Sequence, residues 1–499
     1  MCLCSPFKKF IEQPVNLIKM PDTLLDRLDE WKRRFGGPEN GELERLLERV
    51  ARSPIRDAAG PIRLHETLLF LRAYPRTRAV ASLADEILAG FAQRVADADP
   101  EPFEAPEVSG IAGTSLTAVF SYEVARSLSA RHGSAIEIAW DRYDEIDRMG
   151  PVIARLVPLS REDWPVEAHV PFQRWCGGLG WLLGKLKGPE AAERYDSMSL
   201  PLTWQIAPRV SRSMMRLPGR ALFRHIEPLI KRSEVSLERE LNGPEIPVKR
   251  VARGEARRIL DLIMDTSAMR YRELYGFSHP DEGGVSHAAL GRGVEIYFFG
   301  VPPKWRLPLR AYHGGMFFKN GVPAGYVELL SIFERAETGF NLYYTFREGE
   351  SAWLYGRLLH LFRQELGVNC FSVDPYQLGH ENPEAIDSGA FWFYRKLGFR
   401  PTDPAIAALT AREERRIAGT PGYRSARRTL ERLANGYMLY EGPGAERGAW
   451  DRFSIRELAL RGKIPGWAKI ARAKRSGPEA RYLRMLQNDL RLRARFRTG

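Results

Sequence analysis

GFNLYYTF (339–346), REGES (347–351), AWLYGRLLHLFRQELGV (352–368), NCFSVDPYQL (369–378), GHENPEAIDSG (379–389) and AFWFYRKLGFRP (390–401) follow one another without a break. The first run is apolar and rich in strand formers. The second is a short polar turn. The third carries Leu354, Leu358, Leu361 and Phe362 at helical spacing, which predicts a helix over Ala352–Leu366. A second strand, a polar loop and a short aromatic helix ending at Gly398 complete the series. A helix between two strands is the crossover of a βαβ unit, so the strands around Leu342 and Phe371 should be parallel. A turn that opens such a helix can hold a phosphate on free backbone N–H groups.

Upstream, IPVKRVA (246–252) alternates as a strand, and the run that opens at Gly254 and ends at Phe277 has helical spacing. SHPDEGGVSHAALGRG reads as a Gly-rich mobile loop, and GVEIYFFGVP as a strand. Lys319-Asn320-Gly321 lies between two β-rich runs. Asn-Gly in that setting is the strongest short hairpin signal. The order of elements from Ile246 to Pro401 predicts an α/β domain with a mixed sheet.

Before Asn242-Gly243-Pro244, a breaker taken as the domain boundary, the chain reads as mainly helical. Leu24, Leu25, Leu28 and Trp31 form one stripe, with Asp22 as the candidate N-cap. TSLTAVFSYEVARSLSARHG reads as a helix capped by Thr114 or Ser115, and SAIEIAWD as a short strand. SRSMMRLPGRALFRHIEPLIKR (211–232) reads as a helix lying against the next domain. Three features have plain explanations. Gly110-Ile-Ala-Gly-Thr-Ser lacks the lysine and spacing of a phosphate loop; His65-Glu66 lacks the second histidine of a zinc-binding helix. Asp141, Asp144, Glu145 and Asp147 read as a solvated face, and no metal is expected. Gly177, Gly178, Gly180 and Gly184 interrupt an apolar run and predict a close helix–helix contact.

The 499 residues are 44% hydrophobic and 27% charged, ordinary for a chain with packed cores. No apolar run approaches membrane-spanning length, and no secretory leader is evident, so the reading is of a cytoplasmic protein. Cys2 and Cys4 sit in an N-terminal extension, Cys176 and Cys370 in apolar settings, and four such cysteines do not make a disulfide framework. Of the net charge of +13, the segment 403–499 supplies +12, from 22 lysines and arginines against 10 acids. Within it, Leu483, Leu486, Leu490 and Leu492 give a basic helix an imperfect apolar face. A localised basic tail is the feature that could contact nucleic acid, a protein or an anionic surface. Packing against acidic parts of the N-terminal half is the plainer role. The expected division is an extension (1–21), a mainly helical domain (22–243), an α/β domain (244–402) and a basic helical tail (403–499).

Ala390, Phe393, Tyr394, Lys396, Gly398 and Phe399 match the signature A-I-x-L-Y-x-K-x-G-F. With the loop before the crossover helix, they make residues 246–401 resemble the GNAT superfamily of acyl-CoA N-acyltransferases. The resemblance implies a loop that cradles the pyrophosphate of acetyl-CoA or another acyl-CoA. Arg347, Gly349, Ser351 and Ala352 are the matching positions. It also implies Tyr394 as the acid that protonates the departing thiolate and Glu328 as the base acting on the acceptor amine. Asp374, Tyr376, Gln377, His380 and Asn382 cluster after the second strand, where α/β sheets gather ligands, and are the candidate acceptor rim. The chain departs from the pattern at three places. The loop has one glycine, Glu348 and Glu350 stand where a pyrophosphate would come, and Asp387 replaces the usual asparagine. The implied activity is acyl transfer to a small-molecule or peptide amine. The alternative is a non-catalytic module that binds through the helical half and the basic tail.

Overall fold

The computed structural model describes residues 23–36, 41–53, 60–159, 177–307, 309–451 and 455–456, with positions 481 and 484. Asp22, Cys2, Cys4, Cys176 and the leucines of the basic tail lie outside them. In the following, β1 is Ser115–Val119, β2 Ile136–Ile138, β3 Pro201–Gln205 and β4 Val248–Arg250. Strands β5 Ser286–Gly291, β6 Val294–Gly300, β7 Ala311–Lys319 and β8 Val322–Ile332 come next. They are followed by β9 Arg335–Leu342, β10 Cys370–Val373, β11 Arg400–Pro401 and β12 Met438–Glu441.

The larger sheet has nine strands in the order β11-β12-β10-β9-β8-β7-β6-β5-β4. Strands β9 and β10 are parallel and joined by the helix Ser351–Leu366; the other neighbours are antiparallel. The expected mixed sheet and crossover are therefore present. Leu354, Leu358, Leu361 and Phe362 are all buried, as their spacing requires. Between β7 and β8 the turn falls on Asn320 (φ 47°) and Gly321 (φ 78°). Two successive positive φ values are what an Asn-Gly hairpin turn needs.

Parts of the expected layout are corrected. The Gly-rich segment before β6 is not a loop throughout, because Ser286–Gly291 pairs with β6. Residues 115–119 form a strand, and the helix starts only at Tyr122. Thr117, Ala118 and Val119 read as helical by polarity, but they pair with β3 in a small sheet ordered β1-β3-β2. Within 211–232 the only helical residue is Arg232, the first of a single 3-10 turn, because the segment spends its hydrogen bonds on neighbours instead. Leu217 N donates to Gly321 O (2.8 Å) and His225 N to Pro75 O (2.8 Å). Thr23, not Asp22, caps the first helix, with Asp26 completing the reciprocal bond.

The break at Asn242–Pro244 does not divide two cores. One buried cluster runs from Leu28, Leu47, Phe70 and Tyr74 straight into Tyr297, Phe317, Tyr355 and Phe371 of the large sheet. The first helices are thus a cover for that sheet, and their apolar faces are its missing layer. A second core is separate. It gathers Leu116, Leu128, Tyr195, Leu202 and Trp204 around the small sheet and takes in Ala268 and Met269. The boundary at 402 also moves, since β12 lies between β10 and β11.

The features with plain explanations stay plain. His65 Nδ1 meets Glu66 at 2.9 Å and its Nε2 meets Ser213 Oγ at 2.9 Å, while Arg212 pairs with Glu66 at 2.8 Å. These groups are buried and tie the helix Gly60–Ala73 to the 211–215 turn. Gly110 takes a φ of 89° against Met269. Among the described residues no cluster of three or more His, Cys, Asp or Glu side chains could hold a metal ion, and no helix is long and apolar enough to cross a membrane.

Candidate functional site

Strands β9 and β10 pair only from Arg335↔Cys370 to Glu337↔Ser372. Beyond that point β9 continues to Leu342, held on its other side by β8, while β10 ends at Val373 beside Met438 of β12. The two parallel strands therefore part. Pro375 opens a short helix after Asp374, whose carboxylate accepts from Gln377 N at 2.9 Å. A proline and a capping aspartate stop the strand early, so the gap is written into the sequence.

A cavity of about 300 Å³ opens on one side of the gap. Its walls include Phe340, Asn341 and Leu342 of β9, Arg347 and Ser351 of the turn, and Phe393 and Tyr394 of the aromatic helix. Tyr376, Gln377 and Asn382 also line it, so three of the five expected rim residues share the cavity with the turn. Asn382 caps the next helix through Ala385 N (3.2 Å) and donates to Tyr376 O (3.1 Å). His380 is elsewhere, with Nδ1 at 2.9 Å from Asn435 Oδ1. Asp374 joins Arg456 at 3.1 Å.

The turn itself departs from the expected cradle. Arg347 and Ser351 reach the cavity; Gly349 and Ala352 are not among its walls. Gly349 N already donates to Phe346 O (2.9 Å). A Cβ on Gly349 would stand 2.7 Å from the Tyr74 ring, so close packing of the N-terminal helix explains this glycine. The two glutamates do not face a ligand. Glu348 pairs with Arg33 at 2.7 Å, and Glu350, buried, pairs with Arg292 at 2.6 Å and Lys319 at 3.5 Å. The acids that seemed to oppose a pyrophosphate instead fasten the turn to the rest of the molecule.

Two further cations line the same cavity, Arg232 and Arg272. Glu384 lies between Arg272, at 2.8 Å, and Arg347, which it also binds. Burial pushes the Glu384 carboxyl up, but Arg272 first and Arg347 next bring it below the ordinary value. The cavity thus has three arginines against one acid. Asp387, at the signature's asparagine position, pairs with Arg427 at the surface (2.7 Å). Tyr394 packs edge-on to Tyr355 (5.5 Å between ring centroids). Burial above all, then the neighbouring Tyr355, holds its phenol well above the usual range, so it stays protonated. The signature's Gly398 has φ 98°, and a Cβ there would stand 3.2 Å from the Tyr440 ring.

A second cavity, about 510 Å³, opens further along β9. Glu328, Glu337 and Gly339 form part of its wall, with Tyr312, Arg310 and Arg456. Glu328 accepts a hydrogen bond from the Tyr312 hydroxyl. Burial raises the Glu328 carboxyl above its usual value, while Tyr312 and Arg456 pull the other way. Gly339 sits close to residues of both walls: a Cβ there would lie 3.6 Å from Gln377 Nε2, of the first cavity, and 3.9 Å from Glu328 Cβ, of the second. Arg232, Arg272, Tyr312 and Arg456 come from segments far along the chain from the turn, and nothing in their local sequence marks them. No family model, curated protein or solved structure matches this chain.

Proposed function

We propose that this protein is a GNAT-type N-acyltransferase that moves an acyl group from acyl-CoA to an amine. The observation that carries the reading is the parting of β9 and β10 after Glu337 and Ser372, with two cavities opening along β9 at that point. A splayed strand pair is how the family that residues 246–401 resemble admits the arm of CoA. Arg347, Arg232 and Arg272 supply the positive charge for phosphates, and Ser351 opens a helix whose N-terminus no side chain caps. Glu384 removes part of that charge. When bound, acyl-CoA supplies an activated carbonyl.

The chain's own groups then do two things. Glu328, half-buried and holding its proton more tightly than an ordinary carboxylate, takes a proton from the acceptor ammonium in the second cavity. Tyr394, on the wall of the first cavity, stays protonated and holds the proton that a leaving thiolate needs. Isothermal titration of the full chain with acetyl-CoA and longer acyl-CoAs tests the reading. Saturable heat is the expected result, and no heat at millimolar ligand sinks it.

One observation favours a second reading, a module that binds without catalysis: Arg347 is already engaged by Glu384. In that case a salt-sensitive association with a protein or nucleic acid through the basic tail should appear in a gel-shift assay.

A further inference from the structure

We infer that the second cavity is built for an amine that also carries an anionic group, so that one end of the ligand meets Glu328 and the other meets a basic rim. Its role as the acyl acceptor rests on the acyl-transfer reading; its binding does not.

The charges are sorted by depth. At the inner wall, Glu337 is taken up by Arg456, which also reaches Asp374. Glu328 has no ion pair among the described residues and holds only the Tyr312 hydroxyl. A carboxylate in such a place is best satisfied by a cation that arrives from outside. At the outer wall the sign reverses. Lys304, Arg306 and Arg310 line the same cavity. Arg306 is fixed by its own backbone, donating from Nε to Val301 O (3.1 Å) and from its guanidinium to Arg310 O. Those acceptors are neutral, so they orient the fork without cancelling its charge. Among the described residues no carboxylate pairs with Lys304 or Arg306, and Lys304 stands 5.4 Å over the Trp305 ring.

The mouth is aromatic. Trp305 and Tyr275 are exposed and line the cavity. His279 bridges them, with ring centroids 4.4 Å from Trp305 and 4.5 Å from Tyr275. Exposed rings of this size cost free energy unless something covers them. An acceptor that is a bare cation would leave the basic rim unused and repelled. A carboxylate or phosphate on the same molecule as the amine uses both ends.

The test is binding to the full chain with no acyl-CoA present, so its result is separate from that of the acyl-CoA titration. The probes are L-phenylalanine, O-phosphoethanolamine and phenethylamine, which offer amine with carboxylate, amine with phosphate and amine alone. We expect at least one of the first two to bind about tenfold or more tighter than phenethylamine. Which of the two binds distinguishes a carboxylate from a phosphate ligand. Lys304→Gln, at an exposed site that does not threaten folding, should weaken that ligand several-fold and leave phenethylamine unchanged. Arg306→Gln should do the same, and Glu328→Gln should weaken both. Equal binding of phenethylamine, or no binding of either zwitterion, overturns the inference.

Discussion

The Glu350 carboxylate lies 2.6 Å from the Arg292 guanidinium and 3.5 Å from Lys319 Nζ, in a buried cluster that none of the cavity walls includes. It also accepts from Ile230 N at 3.1 Å. Removing one charge from such a group leaves two cations buried without a counter-charge. Glu350→Gln should therefore cost roughly 3 kcal/mol of stability. Denaturant unfolding would show it as a lower midpoint, and an unchanged midpoint would contradict the placement.

Lys319 gives a pH test of the same cluster. Burial holds its ammonium down to about 7 in the folded chain, against 10.5 as the ordinary value. Between those two values the unfolded chain binds the extra proton, so stability should rise with pH across that window. Below about 7 both states are protonated and the full cost of burial is present. Comparing unfolding of the native chain with Lys319→Met from about pH 6 to about pH 9, a range that starts below the lower value and spans the lower half of the window, should show the slope vanish in the variant.

On the acyl-transfer reading, Arg347 and Glu384 act against each other in binding phosphate, since they pair with one another. Arg347→Ala should weaken acyl-CoA binding by roughly 1.5–3 kcal/mol, the range for a hydrogen bond to a charged group. Glu384→Gln should tighten it, because Arg347 and Arg272 are both released. Titration calorimetry of the two variants reads both. Tighter binding with Arg347→Ala would remove this arginine from the phosphate site.

Tyr394→Phe keeps the ring among Tyr355, Phe393 and Phe399, so the fold should be unaffected. Turnover should fall by about 10²–10⁴-fold with little change in KM. Glu328→Gln should also slow turnover. In the native chain the rate should drop as pH falls through the raised Glu328 pKa, because the base then holds its proton. That acidic limb should be absent in the variant.

A fragment limited to 244–402 should not fold stably. It lacks Leu28, Leu47, Phe70 and Tyr74, which belong to the same buried cluster as the sheet. Circular dichroism and thermal melting of the fragment should show no cooperative transition, whereas the full chain should show one.

The crossover was legible because Leu354, Leu358, Leu361 and Phe362 repeat at helical spacing between two β-rich runs, and all four are buried. The hairpin at Asn320-Gly321 was legible because its dihedrals demand those residues. Strand β1 was not, since Thr117, Ala118 and Val119 gain their strand state from pairing with β3, which lies over 80 residues on. Long-range pairing overrides local preference there. Tyr376, Gln377 and Asn382 were legible as a polar ligand rim because they follow the second strand, and they share a cavity with Arg347. The role of Glu350 was misjudged because its partners, Arg292 and Lys319, come from other strands and turns. Sequence distance hides the neighbour that decides whether a charge is free or spent.

Strand β12 enters the sheet between β10 and β11, pairing Phe371↔Tyr440 on one side and Arg400↔Leu439 on the other. During synthesis, β10 and β11 leave the ribosome before their shared partner does. Until residue 441 is available the crossover unit has an open edge at Cys370–Val373, with unpaired N–H and C=O groups on a fully buried strand. Such an edge is a template for joining another chain. Among the described residues the last strand to be made is therefore the one that covers this edge.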